Sequence, residues 1–171
     1  MCTPFAEGAI WCFTHATGSR RQWYTAADGK SAGELLAAGR GTAREVLDRL
    51  VSVPVEGFTA TYWMGAVGDG RDHVPALFPA ELAAKLGGAP VVAAPAEGLF
   101  LAWVPGDLQF DKVMAVGVRR ATQTFPHPVS SLCWRWDGTR WVTWGEAIEA
   151  DSAPPGPPSN VVGPAALEGV H

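Results

Sequence analysis

Between Leu132 and Trp144 the chain reads Leu-Cys-Trp-Arg-Trp-Asp-Gly-Thr-Arg-Trp-Val-Thr-Trp, two β-prone runs around an Asp-Gly pair that hold four of the eight tryptophans. A two-residue type I′ turn needs positive φ at both central residues, and Asp-Gly meets that need, so the pattern predicts a hairpin. With Asp137 and Gly138 as the turn, Trp136 faces Thr139, Arg135 faces Arg140 and Trp134 faces Trp141. Period-two alternation then sets Leu132, Trp134, Trp136 and Trp141 on one face, too apolar to leave in water. Arg135, Arg140, Val142 and Trp144 share the other face, two cations around an aromatic.

Upstream, the same reading gives a strand over Ala9–His15 and then two helices, because capping-box spacing occurs twice, at Ser31/Glu34 and at Thr42/Glu45. Gly39 and Gly41 separate the two, and Val46, Leu47, Leu50 and Val51 form the apolar stripe of the second, which stops near Pro54. Phe58–Val67 is strand-like, rich in Thr, Tyr and Trp. A short helix runs from Pro79 to the terminator pair Gly87-Gly88. Val91–Ala94 and Leu99–Val104 form a hairpin, and Asp107 caps a helix that ends before Pro126. The sum is about six strands and four helices. This order predicts an α+β fold: a mainly antiparallel or mixed sheet of about six strands, with helices packed on one face. Residues 1–149 form the single domain, and the Pro-rich stretch from Ala153 to Ser159 marks residues 150–171 as an extended tail.

Composition narrows the function. At 171 residues, 47% of them apolar and 18% charged, the chain is long and apolar enough to fold around a core. Its net charge is −4, and no basic cluster exceeds the pairs Arg20-Arg21 and Arg119-Arg120, so the footprint of a nucleic-acid binder is missing. The longest apolar stretch, Ala89–Val104, is interrupted by Pro90, Pro95, Glu97 and Gly98 and cannot cross a bilayer as a helix. With no basic, apolar leader at the start, a cytoplasmic protein is expected. Three cysteines, Cys2, Cys12 and Cys133, do not make a disulfide framework, and Cys12 and Cys133 sit in apolar runs as small hydrophobes.

The succession of phrases Ala6-Glu7-Gly8-Ala9-Ile10, Ser31–Leu36, Gly68-Asp69-Gly70 with Leu77-Phe78-Pro79, Gly88–Pro95, Pro128-Val129-Ser130 and Arg135-Trp136-Asp137-Gly138 with Trp141 resembles the bacterial YtpQ-like family. It spans about residues 6–144. The resemblance implies an α+β domain; the family has no assigned function, so it brings no catalytic residues with it.

Candidate chemistry is sparse. Removal of Met1 would place Cys2 at an N-terminus whose amine could activate its thiol, as in N-terminal-nucleophile hydrolases. The Cys12/His15 pair points to opposite faces of a strand and cannot ligate one metal there. His73 with Asp69 and Asp72 could form a hydrolytic or cation site, against the simpler reading of a solvated Asp/Gly turn. Gly65–Gly70 has no Gly-Lys-Ser/Thr, so phosphate cradling is poorly supported. Trp134, Trp136 and Trp141 read as core, whereas Trp144 with Arg135 and Arg140 is the candidate recognition surface, or else a cation–π pair covering the sheet. The expectation is a small non-enzymatic adaptor or immunity-type protein that binds another protein, without cofactor or metal, and compatible with a homo-oligomer. The alternatives are a hydrolase using Cys2 or the Asp69/Asp72/His73 loop, and a small-ligand pocket between sheet and helices.

Overall fold

The computed structural model describes residues 2–6, 9–12, 14–17, 20–23, 28–66, 68 and 71–144. Asp69 and the expected tail at 150–171 lie outside the described residues. Two short antiparallel hairpins come first, β1 (Cys2–Ala6) with β2 (Ala9–Cys12), and β3 (Thr14–Thr17) with β4 (Arg20–Trp23). There follow α1 (Ala32–Arg49), β5 (Val51–Pro54), β6 (Thr61–Gly65), a 3-10 turn (Val74–Leu77), α2 (Pro79–Leu86), β7 (Val91–Ala96) and β8 (Leu99–Trp103). The last described elements are α3 (Leu108–Thr124), β9 (Cys133–Trp136) and β10 (Trp141–Trp144). Six strands, in the order β10-β9-β7-β8-β6-β5, form one antiparallel sheet. This is an α+β fold, as the alternation of elements implies.

The sheet is covered on both faces, where cover on one was expected. β8 is buried at all five positions, so neither of its faces can be left to water. Val91, Ala93, Leu101 and Trp103 meet Phe110, Met114 and Val118 of α3. Val92, Phe100 and Ala102 meet Leu47, Leu50, Leu82 and Leu86 from the α1 and α2 side, together with Trp134 and Trp141.

Local chemistry sets the helix starts. Asp107 accepts from the amides of Gln109 and Phe110 at 2.9 and 3.1 Å, and opens α3. Below it Asp111 is buried, its carboxylate accepting from the Trp103 indole at 3.1 Å and from the Gly106 amide at 3.3 Å. Ser31 and Glu34 make the full capping box of α1. The second box, at Thr42, is not a cap: α1 runs through Gly39 and Gly41 as one 18-residue helix. A mid-helix glycine costs about 1 kcal/mol. Here burial of Leu35, Ala43, Val46 and Leu47 along one stripe outweighs that cost. Val51, assigned from sequence to the helical stripe, is instead the exposed start of β5.

The tryptophan hairpin exists with a different register. Trp136 pairs with Trp141, Arg135 with Val142, Trp134 with Thr143 and Cys133 with Trp144. Asp137 is the reason: its Oδ1 accepts from the amides of Thr139 and Arg140, both at 2.8 Å, while its own amide donates to the Arg140 carbonyl. That carboxylate-bound loop takes four residues, where a type I′ turn takes two. Because the loop grows by two residues, Thr139 and Arg140, both taken from the second strand, the side-chain parity survives: Trp134, Trp136 and Trp141 still share a face.

Gly98, which turns β7 into β8, has φ +72°, and a Cβ there would sit 2.9 Å from the Gly68 Cα. Gly98→Ala combines left-handed strain with a backbone clash. We expect it to lower the urea midpoint, at unchanged slope, by an amount worth about 1–2 kcal/mol or more. Asp107→Ala, which only removes a cap, is expected to lose about 1 kcal/mol in the same assay.

Candidate functional site

Where the N-terminal hairpin crosses the second apolar face, a pocket remains. Phe5 of β1 packs edge-on against Trp134 and tilted against Trp141, both at 5.6 Å between ring centroids. Trp141 is fixed from below, its indole donating to the Ala76 carbonyl at 2.9 Å. The 3-10 turn that supplies Ala76 begins immediately after His73. The hairpin, this turn and β7 therefore converge around a concavity of about 220 Å³ lined by Phe5, Ile10, His73, Phe100, Val129 and Trp134, with small aliphatic residues of β7. Ile10 is 70% exposed and Val129 58% exposed, so the rim as well as the wall is apolar.

Among the described residues His73 is the one ionisable member of that lining. Its ring hydrogen-bonds to the Ala96 backbone and stands edge-on to Phe100, at 6.4 Å between centroids. Nε2 is buried and has no hydrogen-bond partner among the described residues. Burial holds the imidazole below its ordinary titration range, against opposing pulls from Asp72, the Ala96 backbone and Glu97. At neutral pH it is thus an uncharged ring whose free nitrogen is an acceptor. Asp72 is 1% exposed and accepts from the Gly68 amide at 3.1 Å. Asp72 and His73 are not the solvated turn residues expected of them: both side chains are folded inward, and Asp72 anchors the backbone beside the Gly98 turn.

Other sequence candidates fare differently. Cys2 is joined to Cys12 by a disulfide across the β1–β2 pair, so neither is the free thiol expected, and Cys2 has no nucleophile to offer in this state. Cys133 is the small buried hydrophobe expected, its thiol pushed up to about 12 by burial. Among the described residues no group of three His, Cys, Asp or Glu side chains could hold a metal ion. No described helix is long and apolar enough to cross a membrane. Arg135 and Trp144 share a face, but Trp144 is half-buried, edge-on to Trp103 at 5.6 Å and packed on the α3 core. Arg140 is not paired with Arg135; it lies in the hairpin loop, 3.8 Å from the Asp137 carboxylate and exposed. The pocket is on the other face, beside Trp134. Sequence reasoning did not find Phe5, Ile10, Phe100 or Val129, since only the hairpin's packing across the sheet brings these four segments together.

Two measurements test this chemistry. An imidazole with a depressed pKa leaves the folded state binding fewer protons than the unfolded chain once the unfolded histidine begins to charge near 6.5. The contribution of His73 to stability is therefore intact above pH 6.5 and lost as pH falls toward the folded value. Urea midpoints measured from pH 7.5 down to 5 are expected to decline, and His73→Phe to flatten the decline. Iodoacetamide at pH 8 is expected to leave Cys133 unmodified in the native protein and to alkylate it in urea. None of the protein-family models, curated proteins or solved structures compared with the chain matches it.

Proposed function

We propose that this is a non-enzymatic binding protein of the adaptor or immunity type, and that it engages another protein by taking one of that partner's apolar side chains into the pocket beneath the N-terminal hairpin. The observation that carries this reading is the pairing of an apolar cavity with an exposed apolar rim at Ile10 and Val129. Apolar side chains standing in water around a concavity are costly unless something covers them, and a buried anchor in a pocket is how protein interfaces concentrate their energy. The size agrees: about 220 Å³ is below the range of drug-sized ligand sites and suits a single large side chain.

The alternative of hydrolysis at the Asp72/His73 segment draws less support. A nucleophile must lie within hydrogen-bond reach of its base. Among the described residues, those lining the pocket beside His73 carry only hydrocarbon side chains, apart from the Trp134 indole, and no hydroxyl or thiol. The Asp72 carboxylate holds the Gly68 amide, and the imidazole holds the Ala96 backbone.

Because Ile10 and Val129 are exposed, charges placed there should be tolerated by the fold. Proteins captured by the immobilised wild-type chain and identified by mass spectrometry, then purified, are expected to bind the Ile10→Arg/Val129→Arg variant at least tenfold more weakly. Equal affinity for wild type and variant, with the variant's urea midpoint unchanged, would exclude the pocket as the docking site.

A further inference from the structure

The pocket specifies more than apolarity, and the following rests on the reading of it as a docking site. Its walls include four ring side chains, Phe5, His73, Phe100 and Trp134. Rings favour another ring as occupant, because edge-to-face and offset contacts satisfy the charge distribution of both partners. An apolar cavity of roughly 150 Å³ is enough for benzene. About 220 Å³ therefore has room for a ring with a second ring fused to it.

One polar demand is left open in this setting. His73 has committed one side of its imidazole to the Ala96 backbone, and its Nε2 is buried without a partner. A buried acceptor that meets no donor has lost its water and gained nothing in return. A guest bringing a single N–H would remove that deficit, whereas a guest with an extra acceptor or a charge would add to it. A charged guest, cation or carboxylate, would have to shed its water against walls that are mostly hydrocarbon.

We infer that the occupant is a tryptophan side chain of the partner protein, its ring held among Phe5, Phe100 and Trp134 and its indole N–H donated to Nε2 of His73. Contact with Nε2 requires the His73 ring to turn slightly toward the guest, since that nitrogen is screened from water in the empty pocket.

Indole and indene are the probes, one with the N–H donor and one without, nearly identical in shape. Each is titrated into the full chain by NMR, with the indole N–H signals of the protein's own tryptophans and the Ile10 methyls reporting where it binds. Indole is expected to bind about tenfold more tightly than indene, the size of one well-made buried hydrogen bond. In His73→Phe, which keeps a ring and removes the acceptor, the two are expected to bind alike. Equal binding of indole and indene to the wild-type chain overturns the tryptophan assignment and leaves an apolar docking pocket. Failure of both to perturb the Ile10 signals at saturating concentration overturns the docking site itself. The wild-type comparison decides the matter even if His73→Phe does not fold.

Discussion

A strand that is apolar on both sides cannot be completed by a single layer of cover, and β7 and β8 are such strands. Trp103 and Leu101 need α3, while Phe100 and Ala102 need the layer built from α1, α2 and the 3-10 turn. The rest of the architecture follows from that double requirement. β6 and β9 flank the pair and extend both layers, and β5 and β10 close the sheet at its ends. Two indoles that enter these layers are paired there. The Trp103 indole meets Asp111, and the Trp141 indole meets the Ala76 carbonyl. Burial pushes the Asp111 carboxyl up, against the pull of its hydrogen bonds from Trp103 and the Gly106 amide, so this carboxylate holds two elements together at some cost to itself.

The second layer is less complete than the first. Helix α3 lays a continuous stripe along its face, whereas the opposite face is tiled by helices at one end and by a two-stranded hairpin at the other. The hairpin belongs to its own small sheet and reaches the core through Phe5, wedged between Trp134 and Trp141. Tiles of different shape leave a seam, and the pocket is that seam. Its ionisable member among the described residues, His73, stays neutral at neutral pH because it is buried there. Such a seam costs the core little, since it is a gap that packing had not filled.

Much of this was legible in the residues. Gly87, which terminates α2, the caps at Ser31 and Asp107, and the turn at Gly98 all act where local chemistry places them, because each satisfies its own backbone groups within a few residues. The side of the hairpin on which Trp134, Trp136 and Trp141 lie was legible too, since parity is insensitive to the length of an even loop. What failed was competition between equally local signals. Asp137 could serve a two-residue turn or fold its carboxylate over two amides, and only the second binds both. Thr42 carried a capping box that the continuing α1 left unused. The Cys2–Cys12 bond and the pocket were beyond reach for a different reason: both depend on which strand lies against which, and no residue pattern within β1 or β2 states that.

The sheet ends on β5 with Pro54, which faces Thr61 across the last pair. Any sheet that stops must deal with a row of unsatisfied amides, an invitation to strands from other molecules. Proline brings no amide hydrogen to that row, and a four-residue strand offers little length to copy. Thus this border is poorly suited to templating growth, and chains crowded together are hindered from zipping edge to edge into fibrils through it.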